Sequence, residues 1–329
     1  MNKPRVYVHR LAEWYALYMD QENEAALASF AEVVSEGDRS TPLTESELIE
    51  RMRGCEAILS LNGVGSDEIT PHVLKTVGTI RLIVAAHWWG QFVDTAAPAG
   101  IQLTEGSNAN TRAVAEWTLT AALMGIRRMH NFDQALHAGS VWGEPRRNVG
   151  LLCESTVGLV GLGRIGRYVV RYFQSLGAKV IAYDKYLPPA QATELGIEMV
   201  SLEQLLRTAD VISLHLPVTP ETTGLLGADQ FAMIRDGAIF INSARAALCD
   251  EHALVQELRK KRFQAFLDVF AVEPLAADHP FRTMDNVVIT PHIAGDNGAM
   301  FRRCGREAIQ TLRDYFDGKG LRNLQHQFP

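Results

Sequence analysis

The sequence predicts two α/β domains, each built on a doubly wound parallel sheet. Its 329 residues are more than one hydrophobic core normally organises, so two domains are expected. Short β-branched apolar runs alternate with helical patterns along the chain, as they do where helices cover both faces of a parallel sheet. Hydrophobic residues make up 47% of the chain and charged residues 21%, which is typical of globular proteins.

The N-terminal third contains the elements of the first predicted sheet. Strands are expected in three apolar runs, RVYVH (5–9), EAILSL (56–61) and IRLIVAA (80–86). Residues 23–34 indicate a helix that leads into a strand. A further helix is expected over 44–54, because Thr44 and Glu47 have the spacing of a capping box and Gly54 follows the last turn.

A long alanine-rich helix is predicted over residues 111–129. Its apolar side chains cover more than one face, so the helix is expected to pack against two partners. Those partners are either two domains or two subunits. A plain core helix is the equally good alternative.

The pattern of a second sheet begins at residue 155. The strand STVGLV enters a glycine turn, the helix RIGRYVVRYFQSLG follows, and AKVIAYD is the next strand. Later strands are predicted at 209–217, 237–243, 263–270 and 286–291, with helical patterns between them. This alternation predicts a doubly wound parallel sheet. The segment GAMFRRCGREAIQTLRDYFDG is expected to form one amphipathic helix.

Gly161, Gly163 and Gly166 form a GxGxxG pattern between the first strand of this sheet and its helix. The first glycine permits a tight turn, the second lets the backbone approach a pyrophosphate, and the third lets helix and strand pack closely. Asp184, 18 residues after Gly166, is placed to bind ribose hydroxyls and to repel a 2′-phosphate. NAD is therefore expected rather than NADP, although Lys185 weakens that exclusion. A structural turn without a ligand is the alternative.

Arg245, Glu273 and His292 each come shortly after a predicted strand of the second sheet. Ligands of open parallel sheets bind at the carboxyl ends of strands, so the three side chains can converge. Reduction of a 2-keto acid needs a proton donor, such as an imidazole beside a carboxylate, and a cation for the substrate carboxylate. Each residue also has a structural interpretation: an ion pair or helix cap for Arg245, a solvated loop for Glu273 and a core histidine for His292.

Five segments together resemble the D-2-hydroxyacid dehydrogenase family: VGLVGLGRIGR, SLHLPVTPETTGLL, FINSARAALCDEHAL, LDVFAVEPL and ITPHIAG. Their order and spacing match over about residues 110–310, whereas the N-terminal third is similar only loosely. The resemblance implies two flavodoxin- or Rossmann-like domains with the active site in the cleft between them. It implies a substrate-binding domain of residues 1–108 and 296–329, a dinucleotide-binding domain of residues 109–295, and a homodimer with the long helix in its interface.

The resemblance also implies roles for individual residues. Arg245 is similar to the family's substrate-binding arginine, His292 to its acid/base, and Glu273 to the partner that orients the ring and favours its protonated form. Asp268 resembles the residue that meets the nicotinamide carboxamide; a strand-end aspartate bonded to nearby backbone is its structural alternative. NAD is expected to contact Gly161, Gly163, Arg164, Ile165, Gly166, Asp184, His215, Pro217, Ala244 and Asp268.

The chain departs from the family after its predicted strand at 80–86. A glycine-rich loop there normally holds the substrate carboxylate, whereas this chain has AAHWWGQF over 85–92. Substrate contacts are therefore expected from Arg245 and from four residues of this loop, Ala86, His87, Trp88 and Trp89. The indole faces could stack on the substrate and the imidazole could form a hydrogen bond with it. The alternative is that both tryptophans turn into the domain core or the edge of the cofactor cleft.

The expected reaction is the interconversion of a 2-keto acid and a D-2-hydroxy acid with NAD(H). Formate dehydrogenases are similar but carry glutamine where this chain has Glu273, which argues against formate; phosphite oxidation stays open. An alternative of another class is an NAD-responsive binding module like those of transcriptional corepressors. Such modules tend to have long disordered extensions, and this chain ends a few residues after its last predicted helix, which favours the enzyme.

Composition and charge argue against several other classes. The net charge is -6 and basic residues form no long run, so neither nucleic acid nor a membrane surface is an expected partner. The N-terminus is charged throughout and no apolar stretch approaches about 18 residues, so neither a signal peptide nor a membrane span is expected. Free thiols in the cytoplasm, with neither metal site nor disulfide, are expected for the scattered cysteines Cys55, Cys153, Cys249 and Cys304.

Overall fold

The computed structural model describes residues 3–9, 14–35, 39, 41–87, 90–96, 99–106, 108–140 and 149–321. The chain forms two compact units. Unit 1 consists of Met1–Asn110 with Asp296–Pro329, and unit 2 of Thr111–Gly295. The first boundary thus follows residue 110, where the sequence analysis placed it after residue 108.

Unit 1 contains a five-stranded parallel sheet in the order β2-β1-β3-β4-β5. Its strands are β1 (Arg5–His9), β2 (Glu32–Ser35), β3 (Ala57–Ser60), β4 (Leu82–Ala85) and β5 (Gln102–Glu105). Its helices are α1 (Tyr15–Tyr18), α2 (Gln21–Ala28), α3 (Glu45–Arg51), α4 (Pro71–Val77), α5 (Phe92–Ala96) and the late helix α13 (Gly298–Phe316). The strand order is that of flavodoxin-like sheets.

Unit 2 contains a seven-stranded parallel sheet in the order β12-β11-β10-β9-β6-β7-β8. Its strands are β6 (Thr156–Val160), β7 (Lys179–Tyr183), β8 (Glu198–Met199), β9 (Val211–Leu214), β10 (Ile239–Asn242), β11 (Gln264–Leu267) and β12 (Val287–Ile289). The helices that accompany them are α6 (Ala109–Ile126), α7 (Met129–His137), α8 (Arg164–Ser175), α9 (Pro189–Glu194), α10 (Leu202–Thr208), α11 (Ala228–Met233) and α12 (Glu251–Arg259). This is the doubly wound order of dinucleotide-binding sheets, so the predicted fold class is confirmed.

The central strands of both sheets are buried along their whole length. Every residue of β3, β4, β9 and β10 is buried, as expected where helices cover both faces of a parallel sheet. Parallel packing therefore explains why these strands are continuous apolar runs in the sequence. The strands are shorter than predicted: β10 ends at Asn242 and β12 at Ile289. The residues beyond those ends form loops at the carboxyl edge of the sheet.

The helix termini show one correct prediction and one wrong prediction. The capping box of α3 is confirmed: the Thr44 side chain accepts from the Glu47 backbone, and the Glu47 side chain accepts from the Thr44 backbone. The single helix predicted over 111–129 was wrong at its end. Arg128 has a φ of 51°, which separates α6 from α7. The carbonyl of Ile126 accepts a hydrogen bond from Gly150 N at 3.0 Å, a tertiary contact that helical periodicity does not reveal.

Two further features concern the cysteines and the apolar character of the helices. The thiols of Cys55, Cys153, Cys249 and Cys304 are free, as expected. Among the residues that the structure describes, no helix combines the length and the apolar character needed to cross a bilayer.

Candidate active site

The glycine turn follows β6 and requires glycine at two positions. Gly161 has a φ of 98°, in the region that favours glycine, and a Cβ there would lie 2.8 Å from the His215 backbone. A Cβ on Gly166 would lie 2.5 Å from the carbonyl oxygen of Gly161. These contacts confirm the tight turn and the close helix–strand packing that the pattern predicts.

The N-terminus of α8 has the geometry of an anion site. Gly163 is its N-cap residue, no side chain caps the helix, and a Cβ on Gly163 would have no neighbour within 4 Å. The first backbone N–H groups of a helix without a side-chain cap point outward, and the helix dipole favours negative charge there. Arg164 and Ile165 form the first turn of this helix. The turn therefore fits a dinucleotide pyrophosphate.

Asp184 directly follows β7 and is tied to the glycine turn. Its Oδ2 accepts from Leu162 N at 2.8 Å, and its Oδ1 accepts from Tyr186 N at 2.9 Å and Leu187 N at 3.0 Å. The carboxylate thus lies beside the loop that would carry the pyrophosphate, where a ribose hydroxyl can reach it.

The other predicted cofactor residues lie in loops that follow β9 and β10. His215 is buried and its Nε2 lies 3.0 Å from Ser213 Oγ; burial lowers its pKa to about 4, so the ring is neutral. Pro217 is exposed and its carbonyl accepts from Thr222 Oγ1 at 2.7 Å. Ala244 N donates to Asn242 Oδ1 at 3.0 Å. All three therefore lie at the carboxyl edge of the sheet.

His292 and Glu273 form a hydrogen-bonded pair at the same edge. His292 Nδ1 lies 2.7 Å from Glu273 Oε2, while Glu273 Oε1 accepts from Phe270 N at 2.9 Å. The side chains are 46% and 36% exposed, so this histidine is not a core residue. Burial alone raises the pKa of Glu273, but the bonds from His292 and Phe270 and the charges of His292 and Arg245 bring that pKa below its ordinary value. The carboxylate is therefore ionised and accepts a hydrogen bond from the Nδ1–H group of His292.

Asp268 fixes the turn that carries His292. It is 1% exposed, and its carboxylate accepts from the Thr290 hydroxyl, from Ile293 N at 2.9 Å and from Ala294 N at 2.8 Å. His292 has a φ of 56°, which is uncommon for a residue with a side chain. Three bonds to Asp268, one from Thr290 before it and two from Ile293 and Ala294 after it, hold that conformation. The structural interpretation of Asp268 as a strand-end aspartate bonded to backbone is therefore confirmed.

Arg245 lies in the loop after β10 and is exposed. One guanidinium nitrogen donates to Ala244 O at 2.7 Å, and within the described residues no carboxylate lies within ion-pair distance. Sequence reasoning did not single out Asn242, whose side chain donates to Arg245 O at 3.1 Å and accepts from Ala244 N. The turn-forming preference of asparagine at a strand end was the available signal. The guanidinium is thus free to bind an anionic ligand.

The loop after β4 belongs to unit 1. Ala86 is buried, and His87 Nδ1 lies 3.1 Å from the Tyr18 hydroxyl. Burial lowers the pKa of His87, against the charge of Asp296, so the ring is neutral near pH 7. Trp88 and Trp89 lie outside the described residues. Nowhere in the described part of the chain do three or more histidine, cysteine, aspartate or glutamate side chains form a group able to hold a metal ion.

Residues 119–294 match the family model of the D-isomer specific 2-hydroxyacid dehydrogenase NAD-binding domain. The matched segment covers more than half of the chain. The chain belongs to the D-isomer specific 2-hydroxyacid dehydrogenase family. NAD is accordingly the cofactor of unit 2, and the glycine turn and Asp184 are chemically suited to it.

Similar proteins agree with this assignment. D-3-phosphoglycerate dehydrogenase of Mycobacterium leprae is 39% identical over 222 residues, which is 67% of this chain and 42% of that protein. Glyoxylate reductase of Aeropyrum pernix is 31% identical and the match covers 98% of this chain and 96% of that protein. The structure of D-lactate dehydrogenase with NAD+ from Lactobacillus jensenii is 25% identical, with a TM-score of 0.78 over 98% of this chain and 100% of that one. The chain spans about half the length of the phosphoglycerate dehydrogenases it matches.

Proposed function

We propose that this protein interconverts a 2-keto acid and a D-2-hydroxy acid with NAD(H). The observation that carries the proposal is the 2.7 Å bond between an accessible His292 and an ionised Glu273. These side chains and Arg245 follow β12, β11 and β10, three neighbouring strands of one sheet. An acid/base pair and a cation at one sheet edge are what reduction of a keto acid requires.

Each residue has a separate role in the proposed reaction. NADH, when bound, supplies the hydride that the keto carbon accepts. Arg245 binds the substrate carboxylate or carbonyl through its planar fork of N–H donors. Because Glu273 holds Nδ1, the remaining ring nitrogen of His292, Nε2, is the one that gives a proton to the carbonyl oxygen. The neutral imidazole that results keeps its proton on Nδ1, which donates a hydrogen bond to Glu273. Oxidation of the hydroxy acid runs through the same steps in reverse.

The remaining predicted cofactor contacts are part of this proposal. Gly161, Gly163, Arg164, Ile165 and Gly166 hold the pyrophosphate. His215, Pro217 and Ala244 contact other parts of the dinucleotide, and Asp184 accepts hydrogen bonds from the ribose hydroxyls. Asp268 has its structural role in the turn of His292 and is proposed to meet the nicotinamide carboxamide as well.

The substrate class is a small 2-keto acid, and its identity is a separate part of the proposal. The relatives include proteins named glyoxylate reductase and D-3-phosphoglycerate dehydrogenase. Ala86, His87, Trp88 and Trp89 stand in place of a glycine-rich loop and are proposed to contact the substrate. Because the Nδ1 of His87 is bonded to Tyr18, its Nε2 is proposed to be the atom that bonds the substrate, which favours substrates with a further oxygen.

A homodimer is part of the same proposal. Met129 and Leu136 on α7, together with Leu151, are large apolar side chains with about half or more of their surface exposed. Met129 and Leu136 are seven positions apart on α7 and therefore share one face of the helix, and an exposed apolar face favours coverage by a second copy of the chain. The four free thiols favour a reducing compartment such as the cytoplasm.

The test follows loss of NADH absorbance with a panel of 2-keto acids, from glyoxylate and hydroxypyruvate to phenylpyruvate. The variant His292→Ala is expected to lose roughly 10²–10⁴-fold in kcat while still binding NADH, because it removes the general acid. The matched control is His252→Ala, which removes an exposed histidine of α12 and leaves turnover unchanged. Full turnover in His292→Ala would overturn the assignment. Absence of turnover in the wild type across the panel, with NADH bound, would instead favour a binding module.

A further inference from the structure

We propose that Glu221 sets the preference for NAD(H) over NADP(H) by holding the ammonium group of Lys185 away from a 2′-phosphate. The inference rests on the dinucleotide site of unit 2 and not on the proposed reaction. It assigns a specificity role to the loop after β9, in which Glu221 lies.

Asp184 alone is an incomplete barrier to a 2′-phosphate. A carboxylate offers about four acceptor positions, and the backbone N–H groups of Leu162, Tyr186 and Leu187 occupy three of them. One position on Oδ2 is left for a ribose hydroxyl. The three N–H dipoles also offset part of the negative charge that would repel a phosphate. The neighbouring charges therefore take part in the choice of cofactor.

Lys185 is the neighbour that would favour NADP. It directly follows Asp184, its side chain is 59% exposed, and a lysine ammonium is a common phosphate ligand. Among the described residues bonded to the glycine turn, Arg167 is another cation. Its guanidinium donates to Leu162 O at 3.2 Å and to Gln191 Oε1 at 2.5 Å. Arg167 is thus bonded to the glycine turn and to Gln191, whereas the Lys185 ammonium has no bond to either.

Glu221 engages Lys185 in this structure. Lys185 Nζ lies 3.0 Å from Glu221 Oε2, the Tyr186 hydroxyl donates to the same oxygen, and the ammonium lies 5.4 Å from the centre of the Tyr186 ring. The bonds from Tyr186 and Lys185 lower the pKa of Glu221, so the group is an anion at neutral pH. Asp184 and Lys185 alone would have a net charge of about zero. With the Glu221 carboxylate the three groups carry about -1.

The loop presents Glu221 in a defined position. Thr219 N donates to Thr222 Oγ1 at 2.8 Å, and Thr223 Oγ1 donates to Thr219 O at 2.8 Å. These bonds on either side of Glu221 tie the loop to itself and hold the backbone that carries its carboxylate. A 2′-phosphate would have to displace this carboxylate and would meet its repulsion.

The experiment measures binding of NADH and NADPH separately, without keto acid, by the fluorescence of the reduced nicotinamide. The variant Glu221→Gln is expected to bind NADPH roughly tenfold more tightly than the wild type, whereas its affinity for NADH should stay within about twofold of the wild-type value. Only NADPH has a 2′-phosphate, which Lys185 can then bind and which Glu221 no longer repels. The double variant Glu221→Gln/Lys185→Ala is expected to lose the gain. The gain should also shrink as salt is raised from low to physiological concentration.

The matched control is Glu203→Gln on α10, which breaks a similarly exposed pair with Arg207 and changes the net charge by the same amount. It is expected to leave both affinities unchanged. Unchanged NADPH binding in Glu221→Gln, an equal gain in Glu203→Gln, or a gain that survives without Lys185 would each overturn the proposal. Because no substrate is present, these outcomes are independent of whether the chain reduces a keto acid.

Discussion

Among the described residues, two histidine–glutamate pairs lie at the carboxyl ends of strands, one in each unit, and they differ in exposure. In unit 2, His292 and Glu273 are 46% and 36% exposed. In unit 1, His9 ends β1 and its Nε2 lies 3.0 Å from Glu68 Oε1, with side chains 0% and 4% exposed. The two pairs have the same side chains and nearly the same hydrogen bond. Only the exposed pair can meet a ligand.

The buried pair is built into a larger network. Arg39 forms an ion pair with Glu68, and Leu43 N donates to Glu68 Oε2 at 2.9 Å. The ring of His9 also packs edge-on against Phe92, with ring centres 5.7 Å apart. Its Nδ1 is buried and has no hydrogen-bond partner among the described residues. A histidine–carboxylate pair therefore indicates an acid/base site only where the second ring nitrogen is accessible. Where that nitrogen is buried, the pair stabilises the fold.

The largest expected effect is on stability, from the buried pair. Glu68→Gln removes the charge that compensates the mostly buried guanidinium of Arg39, so unfolding should become easier by about 3–5 kcal/mol. Urea denaturation measures this change. The exposed control Glu203→Gln should change stability by less than about 1 kcal/mol. Equal stabilities of the Glu68 variant and the wild type would show that the network is not structural.

The same pair predicts loss of stability in acid. Burial raises the pKa of Glu68, but the bonds from His9, Arg39 and Leu43 N outweigh it and lower that pKa from 4.5 to about 2. A lowered folded-state pKa means that the stabilisation is present above pH 4.5 and is lost as the pH falls towards 2. The difference between the unfolded and folded pKa of Glu68 corresponds to roughly 3 kcal/mol of folding stability. Urea midpoints measured across this range should fall more steeply for the wild type than for Glu68→Gln, and parallel curves would refute the assignment.

The exposed pair should affect catalysis instead. In Glu273→Gln the amide can no longer stabilise an imidazolium on His292, so reduction should slow by roughly 10²-fold in kcat. Stability should change by less than about 1 kcal/mol, since both groups are half exposed. A stability loss without a kinetic change would reverse the comparison between the two pairs.

A smaller effect is expected where the exposed pair depends on a buried residue. Asp268→Asn keeps the size of the side chain but replaces one acceptor oxygen by a donor facing the N–H groups of Ile293 and Ala294. The free energy of unfolding should fall by about 1–3 kcal/mol, because the turn loses a hydrogen bond and leaves an N–H group without an acceptor. Since His292 then samples other positions, kcat should fall. The conservative replacement Asp268→Glu serves as a comparison, and unchanged kcat in Asp268→Asn would remove its positioning role.

Short-range patterns account for much of what could be predicted. The capping box joins Thr44 and Glu47, three positions apart, and a Cβ on Gly166 would clash with the carbonyl of Gly161, five positions away. The strands could be located because full burial in a parallel sheet demands unbroken apolar runs. The order of chemistry-bearing residues after strands also predicted the carboxyl edge as the place to look for a site.

Contacts between distant residues could not be predicted in this way. The end of α6 depends on Gly150, and the buried pair joins residues 59 positions apart. The partner of Lys185 lies 36 positions away, on a different loop.

The sequence by itself therefore determined the fold class, the glycine turn and the identity of the residues at the strand ends, because each depends on local periodicity and backbone geometry. Only the tertiary structure decided which histidine is exposed, which carboxylate it meets and which charges surround Asp184. Burial and pairing depend on how distant segments pack, and side-chain chemistry alone does not distinguish His9 from His292 until that packing is known.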